Sequence, residues 1–263
     1  MSCVNETETF LKNTSLNSLL CAIKNESNPL VRECLKCMKA EKMIFINPHM
    51  NEVLRVIKDD KLNFVGFKSY HKGLHKILEK DSETMTRGYA EYNSEYRQLV
   101  ANVLIHGKTN SGSDVFGFLK RFNGYTEKSL VGSAGMVGGH INVSDRNLFQ
   151  GLIRELSEEI KNVPFDNSKI FPFGFIREMG DNISRQHLCV LYVMELTSDA
   201  NMNLISGEVN EKFVWYDTKQ VEKELSGPID SCVFDTWARK ALENYLKFMN
   251  TSEYSKMRNS LES

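Results

Sequence analysis

The sequence predicts a mixed α/β protein, and three observations carry that prediction. An amphipathic helix lies near the middle of the chain, over residues 148–160, with apolar residues recurring every three or four positions. Apolar runs bounded by Gly, Asn and Asp lie on both sides of this helix and indicate strands. A second amphipathic helix, over 230–249, follows the last strand. Strands on both sides of a helix, with another helix after them, favour a sheet covered by helices.

Chain length and charge limit the number of domains and the classes of function that the protein can have. The chain has 263 residues, enough for one large domain or for one domain with an extension. Lys and Arg number 33 against 34 Asp and Glu, so charge gives no support for a protein that coats nucleic acid. No apolar run is long enough to span a bilayer, and the first fifteen residues are polar and acidic rather than signal-like. We therefore expect a cytoplasmic protein without a membrane partner.

Residues 1–40 are predicted to form a helical extension. A loose helical stripe runs from Phe10 to Ile23, and Pro29 opens a second helix that continues to Met38. The pattern is compatible with dimerisation, with covering of a substrate or with simple packing, and does not choose among them.

Six cysteines are expected to be reduced thiols, as is usual in a cytosolic chain. Cys3, Cys21, Cys34 and Cys37 crowd the extension, and the Cys34–Cys37 spacing could supply half of a zinc site. The other half has no close pair of cysteines, so reduced thiols are the preferred interpretation.

An α/β segment over 41–98 is expected to follow and to join the main domain, which should extend to residue 250. The patterns predict a strand over 42–47, a short helix over 50–57, a strand over 63–69 and a helix over 72–80. The interval 81–98 is polar and contains Tyr89, Tyr92 and Tyr96. Such aromatic residues can stack on a nucleobase, but half-buried packing is the commoner role of Tyr.

Two long strands come next, over 99–106 and 114–122, and the glycine-rich segment 107–112 joins them as a hairpin. Lys120 and Arg121 end the second strand. They could meet an anionic ligand, although a solvated strand end explains them equally well. Residues 129–137 then lead to a turn at Gly138 and Gly139.

The turn opens into a polar loop and the central helix, with Ser144 or Asp145 as the expected cap. The helix should bury one apolar stripe. Its members are Leu148, Leu152, Leu156 and Ile160, with Phe149 and Ile153 beside them.

Charged residues lie on the flank of this stripe: Arg154, Glu155, Glu158 and Glu159. Spacings of three and four residues bring the three carboxylates together, and one Arg cannot neutralise them. A hard cation such as Mg²⁺ or Mn²⁺, which prefers oxygen ligands, would offset their repulsion. A solvated acidic face is the alternative. The preceding glycines favour the cation, because they let the backbone approach a ligand closely.

This segment resembles the Nudix box, a loop-helix-loop motif with the core Arg-Glu-hydrophobic-x-Glu-Glu, which residues 154–159 match at every position. The resemblance implies an α/β/α sandwich and a Mg²⁺-dependent hydrolase of a nucleoside diphosphate linked to another group. It implies metal ligands at Glu155, Glu158 and Glu159 and at the carbonyl of Gly139, with one Glu also able to act as a base. It implies that Arg154 orients the carboxylates.

Three positions depart from the family pattern. The family's first glycine corresponds to His140, one residue beyond Gly139, so the loop is one residue longer. Its central Glu corresponds to Arg146, or to Asp145 if the extra residue is discounted, and its last glycine to Lys161. Asn162, next to Lys161, can adopt the left-handed conformation that ends a helix. The Gly-Gly-His-Ile-Asn turn itself is similar to one in a bacterial and phage branch of Nudix phosphoesterases, where the position of Arg121 is often basic.

After the box, strands are predicted over 170–178, 185–196 and 213–216. His187 is a candidate for substrate binding, although a lone His at a strand start is more often structural. In the Nudix family a later acid often completes the metal site or serves as base, and Glu208 or Glu211 could do so here. Helices over 218–225 and 230–249 and a flexible tail over 251–263 complete the prediction.

The resemblance implies a nucleotide-type substrate, with capped RNA and a homodimer left open. Two other interpretations stay open. A catalytically weak Nudix-like protein could bind nucleotides for regulation, although a sensor has no use for three clustered acids. Alternatively, the cysteine-bearing helices of residues 1–40 could be the working part of an interaction protein.

Overall fold

The computed structural model describes residues 48–262 apart from 92, 124–129, 181–184, 198–199 and 201, together with scattered positions between 18 and 39. All of those scattered positions except Ser27 are helical, which accords with the predicted helical extension. The predicted strand over 42–47 lies outside the described residues.

A mixed sheet of ten strands forms the centre of the fold. Its strands are β1 (Val53–Lys58), β2 (Gly66–Ser69), β3 (Glu83–Thr86), β4 (Tyr96–Lys108), β5 (Asp114–Arg121), β6 (Ala134–Gly135), β7 (Val137–His140), β9 (Ser168–Arg177), β10 (His187–Leu196) and β12 (Glu211–Asp217). The main order is β12-β5-β4-β10-β9-β2, and β4 also pairs with β1 and β7. Only the β4–β10 pair is parallel among the described pairs. Two further short strands, β8 (Ile160–Lys161) and β11 (Ile205–Ser206), pair with each other.

Helices cover both faces of this sheet. They are α1 (Lys72–Lys80), α2 (Arg87–Ala90), α3 (Leu148–Glu159), α4 (Thr218–Ser226), α5 (Thr236–Met249) and α6 (Ser252–Glu262). Short 3₁₀ turns occupy Pro48–Asn51, Asp59–Lys61, Phe165–Asn167 and Ile229–Ser231. Apolar residues of α1 and α3 pack in the core on one face, and those of α4, α5 and α6 pack in the core on the other. The predicted α/β/α sandwich is therefore confirmed.

The central strand β4 explains this layering. Its apolar residues alternate between the two cores, with Leu99, Ala101, Val103 and Ile105 on the α3 side and Val100 and Leu104 on the α5 side. Successive residues of a strand point to opposite faces, so a strand buried on both faces is apolar nearly throughout.

Two predictions before β4 are wrong. The expected helix over 50–57 is a 3₁₀ turn followed by β1, in which Leu54 and Val56 are fully buried and pair with β3. The run is rich in β-branched residues, which fit a pleated surface better than a helix. The polar interval 81–98 is not a loop throughout, since it contains β3, α2 and the start of β4.

The C-terminal predictions need two corrections. The helix expected over 230–249 begins only at Thr236, because the Asp235 side chain accepts the backbone N–H of Ala238 and caps it. The segment 251–263 is not a flexible tail, because most of it forms α6. Tyr254 and Arg258 on α6 are 8 % and 6 % exposed, so one aromatic and one charged side chain attach a helix whose sequence is otherwise largely polar.

No helix among the described residues combines the length and apolar character needed to cross a bilayer.

Candidate active site

The central helix begins and packs nearly as the sequence predicts. Its cap is Asn147, whose Oδ1 accepts the backbone N–H of Gln150 at 2.8 Å, so the expected cap at Ser144 or Asp145 is wrong. The stripe of Leu148, Leu152, Leu156 and Ile160 is buried, but Phe149 is 42 % exposed and does not belong to it. The apolar stripe fixes the helix on the sheet and leaves the charged flank beside the edge of β7.

Asp145 has another role, which is to close the loop onto α3. Its Oδ2 accepts the backbone N–H of Asn142 at 2.8 Å and Nη2 of Arg154 at 3.0 Å, and its Oδ1 accepts Nε of Arg154 at 3.1 Å. Asp145 is only 7 % exposed. Of the two loop positions that the longer loop left ambiguous, Asp145 is therefore the acid that contacts Arg154.

Arg154 lies between the loop and two carboxylates of the helix. Besides Asp145 it donates to the carbonyl of His140 at 2.8 Å, to Glu155 Oε1 at 2.7 Å and to Glu158 Oε2 at 3.1 Å. One guanidinium thus contacts both acids, the arrangement expected of a residue that orients carboxylates.

The glycine turn brings the backbone against the other acids. A Cβ on Gly139 would lie 2.5 Å from Glu155 Oε2, and a Cβ on Gly138 would overlap the carbonyl oxygen of Ala101. Gly138 has φ 139° and donates its N–H to Glu159 Oε2 at 2.8 Å. Only glycine allows this approach, which places Glu155 and Glu159 at neighbouring residues of one strand.

The direction of the backbone groups indicates which of the two glycines could offer its carbonyl oxygen to a cation. The N–H of Gly138 and the carbonyl of His140 both face α3, where they contact Glu159 and Arg154. Gly139 lies between them, in register with Ala101 of β4. Because backbone groups alternate in direction along a paired strand, Gly138 is better oriented than Gly139 to offer a carbonyl ligand.

A further acid joins the site from β12. Glu211 lies opposite Arg121 of β5 in the antiparallel register, with its Oε1 3.6 Å from Arg121 Nε. Its Oε2 is buried without a hydrogen-bond partner among the described residues. The structure therefore brings Glu211 to the site, whereas Glu208 stays in the exposed turn before β12. We call Glu155, Glu158, Glu159 and Glu211 the acidic cluster.

Proton affinities show that three of these acids share one environment. Burial raises the pKa of Glu159 to about 8, with the N–H of Gly138 opposing and the charges of Glu211 and Glu155 adding to the rise. Burial also raises the pKa values of Glu155 and Glu211, with Arg154 and Arg121 opposing, respectively. A buried carboxylate with a pKa of about 8, here Glu159, favours its neutral form at pH 7 unless a cation is supplied.

The chemical type of these side chains suits a divalent cation. The ligands would be carboxylate oxygens, which hard cations prefer, and Glu211 offers a buried oxygen that nothing described satisfies. Glu158 is turned towards Arg154 and its side chain is 59 % exposed. With the side chains so placed, no group of three or more His, Cys, Asp or Glu in the described part of the chain is already arranged around a metal position.

Arg121, the predicted ligand-facing cation, belongs to the wall of the site. Its Nη1 donates to Asp235 Oδ2 at 2.8 Å and to Ser133 Oγ at 3.3 Å, and the residue is 9 % exposed. It balances Glu211 and Asp235 rather than ending a strand in solvent. The sequence gives no sign of the Arg121–Asp235 pair, because the partners are 114 positions apart.

His187, the predicted substrate-site residue, lies on the face of the sheet opposite α3. Its Nε2 is 3.0 Å from Nε2 of His140, and its ring packs edge-on at 5.9 Å from that of Trp237. His140 follows the two glycines directly. His140 and Trp237 therefore surround His187 on that face, and the sequence marks His140 only as a departure from the family pattern.

Comparison with known proteins gives a match in structure alone. No family model matches the sequence, and no curated protein matches it either. Among solved structures, Tm1382, a proposed Nudix hydrolase, superposes with a TM-score of 0.57 at 20 % identity, covering 75 % of this chain and 99 % of the other.

Two further structures are similar over shorter stretches. RenU, a Nudix hydrolase from M. smegmatis, gives a TM-score of 0.42 at 10 % identity over 66 % of this chain and 92 % of the other. The Nudix domain of Shewanella oneidensis NrtR, in complex with ADP ribose, gives a TM-score of 0.43 at 16 % identity, covering 57 % of this chain and 88 % of the other.

The match to Tm1382 confirms that this chain has the Nudix fold, as the sequence resemblance predicted. The link to the Gly-Gly-His branch stays a prediction.

Proposed function

We propose that this protein is a Mg²⁺- or Mn²⁺-dependent Nudix pyrophosphohydrolase that cleaves a nucleoside diphosphate linked to another group and releases a nucleoside monophosphate or another phosphate ester. The observation that carries the proposal is the acidic cluster, which on a Nudix fold brings Glu155 and Glu159 against a turn that only glycine permits.

Glu155, Glu158 and Glu159 would hold the cation, together with a carbonyl of the glycine turn. When bound, the cation neutralises the two phosphates and lowers the pKa of a bound water. Arg154 positions Glu155 and Glu158 through the contacts it makes with both. Glu211 is the later acid predicted from the family, and its buried, unpartnered oxygen suits it to complete the cation site or to accept a proton from the attacking water.

The test is phosphate-ester release from a panel of NADH, ADP-ribose, dinucleoside polyphosphates, deoxynucleoside triphosphates and capped RNA, with and without Mg²⁺. We expect Mg²⁺-dependent cleavage of at least one compound. Glu159→Gln should lower kcat/KM by about a hundredfold or more, the size of effect seen when a charge-stabilising group is lost. Binding of nucleotides without cleavage of any panel member would favour the regulatory alternative instead.

The finer expectations belong to the same proposal. The family resemblance implies a nucleotide-type substrate, and the sequence predicts a cytoplasmic location and a helical extension over 1–40 distinct from the domain over 41–250. Capped RNA and a homodimer stay open.

A further inference from the structure

The loop before the acidic helix is held by the part of the domain that precedes β4 in the chain. We call residues 141–147 the box loop. Strand β1 runs beside its first half: the N–H of Arg55 donates to the carbonyl of Ile141 at 2.8 Å, and the N–H of Val143 donates to the carbonyl of Val53 at 3.0 Å. The backbone of β1 therefore sets the direction in which the box loop leaves the glycine turn.

The side chain of Arg55 contacts the second half of the box loop. Its Nη2 donates to the carbonyl of Asp145 at 2.7 Å and lies 3.5 Å from the carbonyl oxygen of Arg146. Its Nη1 is 3.6 Å from Oε2 of Glu79 on α1, and the side chains of this pair are 16 % and 22 % exposed. A guanidinium presents its donors in a fixed planar arrangement, so these contacts together restrict where the backbone at Asp145 can lie.

Glu79 extends the same support to the first residue of α3. Its Oε1 accepts the N–H of Leu148 at 2.8 Å. The first N–H groups of a helix have no partners within the helix, and a carboxylate beside them interacts favourably with the helix dipole. The two residues are 69 positions apart, so a separate helix, α1, supplies this contact. Arg55 and Glu79 thus hold the box loop at its second half and at its end.

The box loop in turn sets the orientation of Arg154. Both carboxylate oxygens of Asp145 accept hydrogen bonds from its guanidinium, and the carbonyl of His140 accepts a further one. The remaining Nη1 donates to Glu155 and Glu158 of the acidic cluster. Because the guanidinium is planar and rigid, a displacement of Asp145 would move the donors that orient these two acids.

The length of the box loop gives a reason for this support. The loop is one residue longer than in the family pattern, and His140 stands where that pattern has a glycine. A longer connection loses more conformational entropy when it is ordered. Contacts supplied by β1 and α1 offset that loss.

We propose that Arg55 and Glu79 are positioning residues for the cation site, and that they act on the acidic cluster through the box loop and Arg154. This inference rests on the proposed function, because the cation concerned is the one proposed for the acidic cluster. It gives β1 and α1 a part in the chemistry, which is to hold the loop in the shape that lets the carboxylates converge. Loss of a group that orients metal ligands commonly costs about 10–100-fold in metal affinity or activity.

Mn²⁺ binding to the full chain, followed by electron paramagnetic resonance, tests the proposal without depending on turnover. Arg55→Met keeps a long side chain and removes every donor. We expect it to raise the Kd for Mn²⁺ by about tenfold, the lower end of that range, because Arg55 acts through two further residues. In hydrolysis assays the Mg²⁺ concentration for half-maximal rate should rise by a similar factor. The kcat at saturating Mg²⁺ should stay close to that of the wild type, because excess cation refills the site.

Two variants of Glu79 separate its hydrogen bond from its charge. Glu79→Gln keeps an acceptor for the N–H of Leu148, whereas Glu79→Ala removes it and should raise the Kd for Mn²⁺ more. Lys61→Met is the matched control. Lys61 donates to the carbonyl of Asp81 at the end of α1 and lies 3.9 Å from its carboxylate, so the variant removes an ion pair of the same helix that does not involve the box loop. It should leave the affinity for Mn²⁺ unchanged.

Thermal unfolding of each variant separates positioning from packing. A purely structural role would lower the Tm and leave the Mn²⁺ affinity of the folded protein unchanged, and that result would overturn the proposal. Arg55→Lys provides a test if Arg55→Met does not fold. It keeps the positive charge and a donor for the carbonyl of Asp145, so its Kd for Mn²⁺ should lie closer to that of the wild type than that of Glu79→Ala does.

The results distinguish this inference from the proposed function. Unchanged Mn²⁺ affinity in Arg55→Met and Glu79→Ala would overturn the positioning role even if the wild type cleaves a diphosphate. Weaker Mn²⁺ binding in both variants, without cleavage of any panel compound by the wild type, would leave the positioning role standing and refute the hydrolase. A wild-type protein that binds no Mn²⁺ would overturn both.

Discussion

Two groups of buried charged side chains contact the central strands, and they differ in how their charges are balanced. One is the acidic cluster beside β7. The other, the ion-pair cluster, lies at the far end of β4 and β10 and consists of His106, Asp114, Glu195 and Arg258.

Every member of the ion-pair cluster has an opposite charge or a hydrogen-bond partner in contact. His106 Nδ1 is 2.9 Å from Glu195 Oε1, and His106 Nε2 is 3.2 Å from Asp114 Oδ1. Arg258 donates to Glu195 Oε2 at 2.6 Å and to the carbonyl of Leu196 at 3.0 Å. His106 and Glu195 are fully buried, so these contacts fix α6 to the sheet.

The acidic cluster lacks such balance. Arg154 contacts Glu155 and Glu158. Among the described residues, Glu159 receives a hydrogen bond only from a backbone N–H, and Glu211 has one oxygen without a partner. Buried charges that pair with each other leave no charge for a ligand to balance. Carboxylates with raised pKa values and incomplete pairing are common at ligand sites, so this difference supports the cation site proposed for the acidic cluster.

The largest effect on stability should come from breaking the balanced group. Arg258→Met leaves Glu195 with fewer counter-charges in a fully buried position, and removal of one partner of a buried ion pair costs about 3–5 kcal/mol. Urea unfolding should show this loss, while kcat per folded molecule stays unchanged. Lys256→Met, at an exposed position of the same helix, is the control and should change the free energy of unfolding by less than about 0.5 kcal/mol. A loss equally small for Arg258→Met would show that α6 does not depend on this pair.

Removing a charge from the acidic cluster should not lower stability and could raise it. Without Mg²⁺, Glu159→Gln should unfold at the same temperature as the wild type or higher, because it removes a buried carboxylate without a counter-ion. Mg²⁺ at about 100 times its Kd should stabilise the wild type by about 2.7 kcal/mol and the variant by less. Differential scanning calorimetry with EDTA and with Mg²⁺ measures both values. Equal stabilisation of the two proteins by Mg²⁺ would contradict a cation site at Glu159.

Gly207 offers a more localised way to disturb the acidic cluster. Its N–H donates to the carbonyl of Glu159 at 2.7 Å, and a Cβ on Gly207 would lie 2.5 Å from the carbonyl oxygen of Glu158. Gly207→Ala should therefore displace the end of α3 and lower kcat by about tenfold or more, because small misplacements of reacting groups are costly.

Steady-state kinetics would compare this variant with Gly180→Ala, where an added Cβ meets no atom within 4 Å. The control should keep full activity. A Gly207→Ala protein with unchanged kcat would show that the end of α3 tolerates the shift.

The sequence predicts the acidic helix well because its information is local. Leu148, Leu152 and Leu156 recur at helical spacing, and the acids follow at spacings that a helix brings together. The sequence also predicts the close backbone approach at the two glycines before the helix. The structure agrees, since their contacts with Glu155 and Ala101 leave no space for a side chain.

The rest of the site could not be predicted, because it depends on strand pairing between distant segments. Asp235 reaches Arg121 through the packing of α5 on the sheet, and His187 meets His140 only because β10 and β7 both pair with β4. The helix α6 was missed for a related reason: Arg258 anchors it by a charge, and a charged residue in a polar segment favours a solvated tail.

The smallest effect we expect is a pH dependence that belongs to the ion-pair cluster. Burial alone would lower the pKa of His106, but its hydrogen bonds to Asp114 and Glu195 raise it above 6.5 overall. The other polar groups facing the ring are Arg258 of α6 and the hydroxyl of Tyr245 of α5, 3.5 Å from Nδ1. Since folding raises this pKa, the stabilisation is complete below pH 6.5 and is lost as the pH rises through the pKa of the folded state.

His106→Gln isolates this contribution, because glutamine takes no proton in this pH range. Urea unfolding between about pH 5.5 and 9 should show a decline in wild-type stability that the variant lacks. Asp114→Asn removes one negative charge beside the imidazolium and should move the decline to lower pH, because it lowers the pKa of the folded state. Identical pH profiles for the wild type and His106→Gln would mean that His106 is neutral in its ion-pair cluster, and the contrast with the acidic cluster would then rest on Arg258 and Glu195 alone.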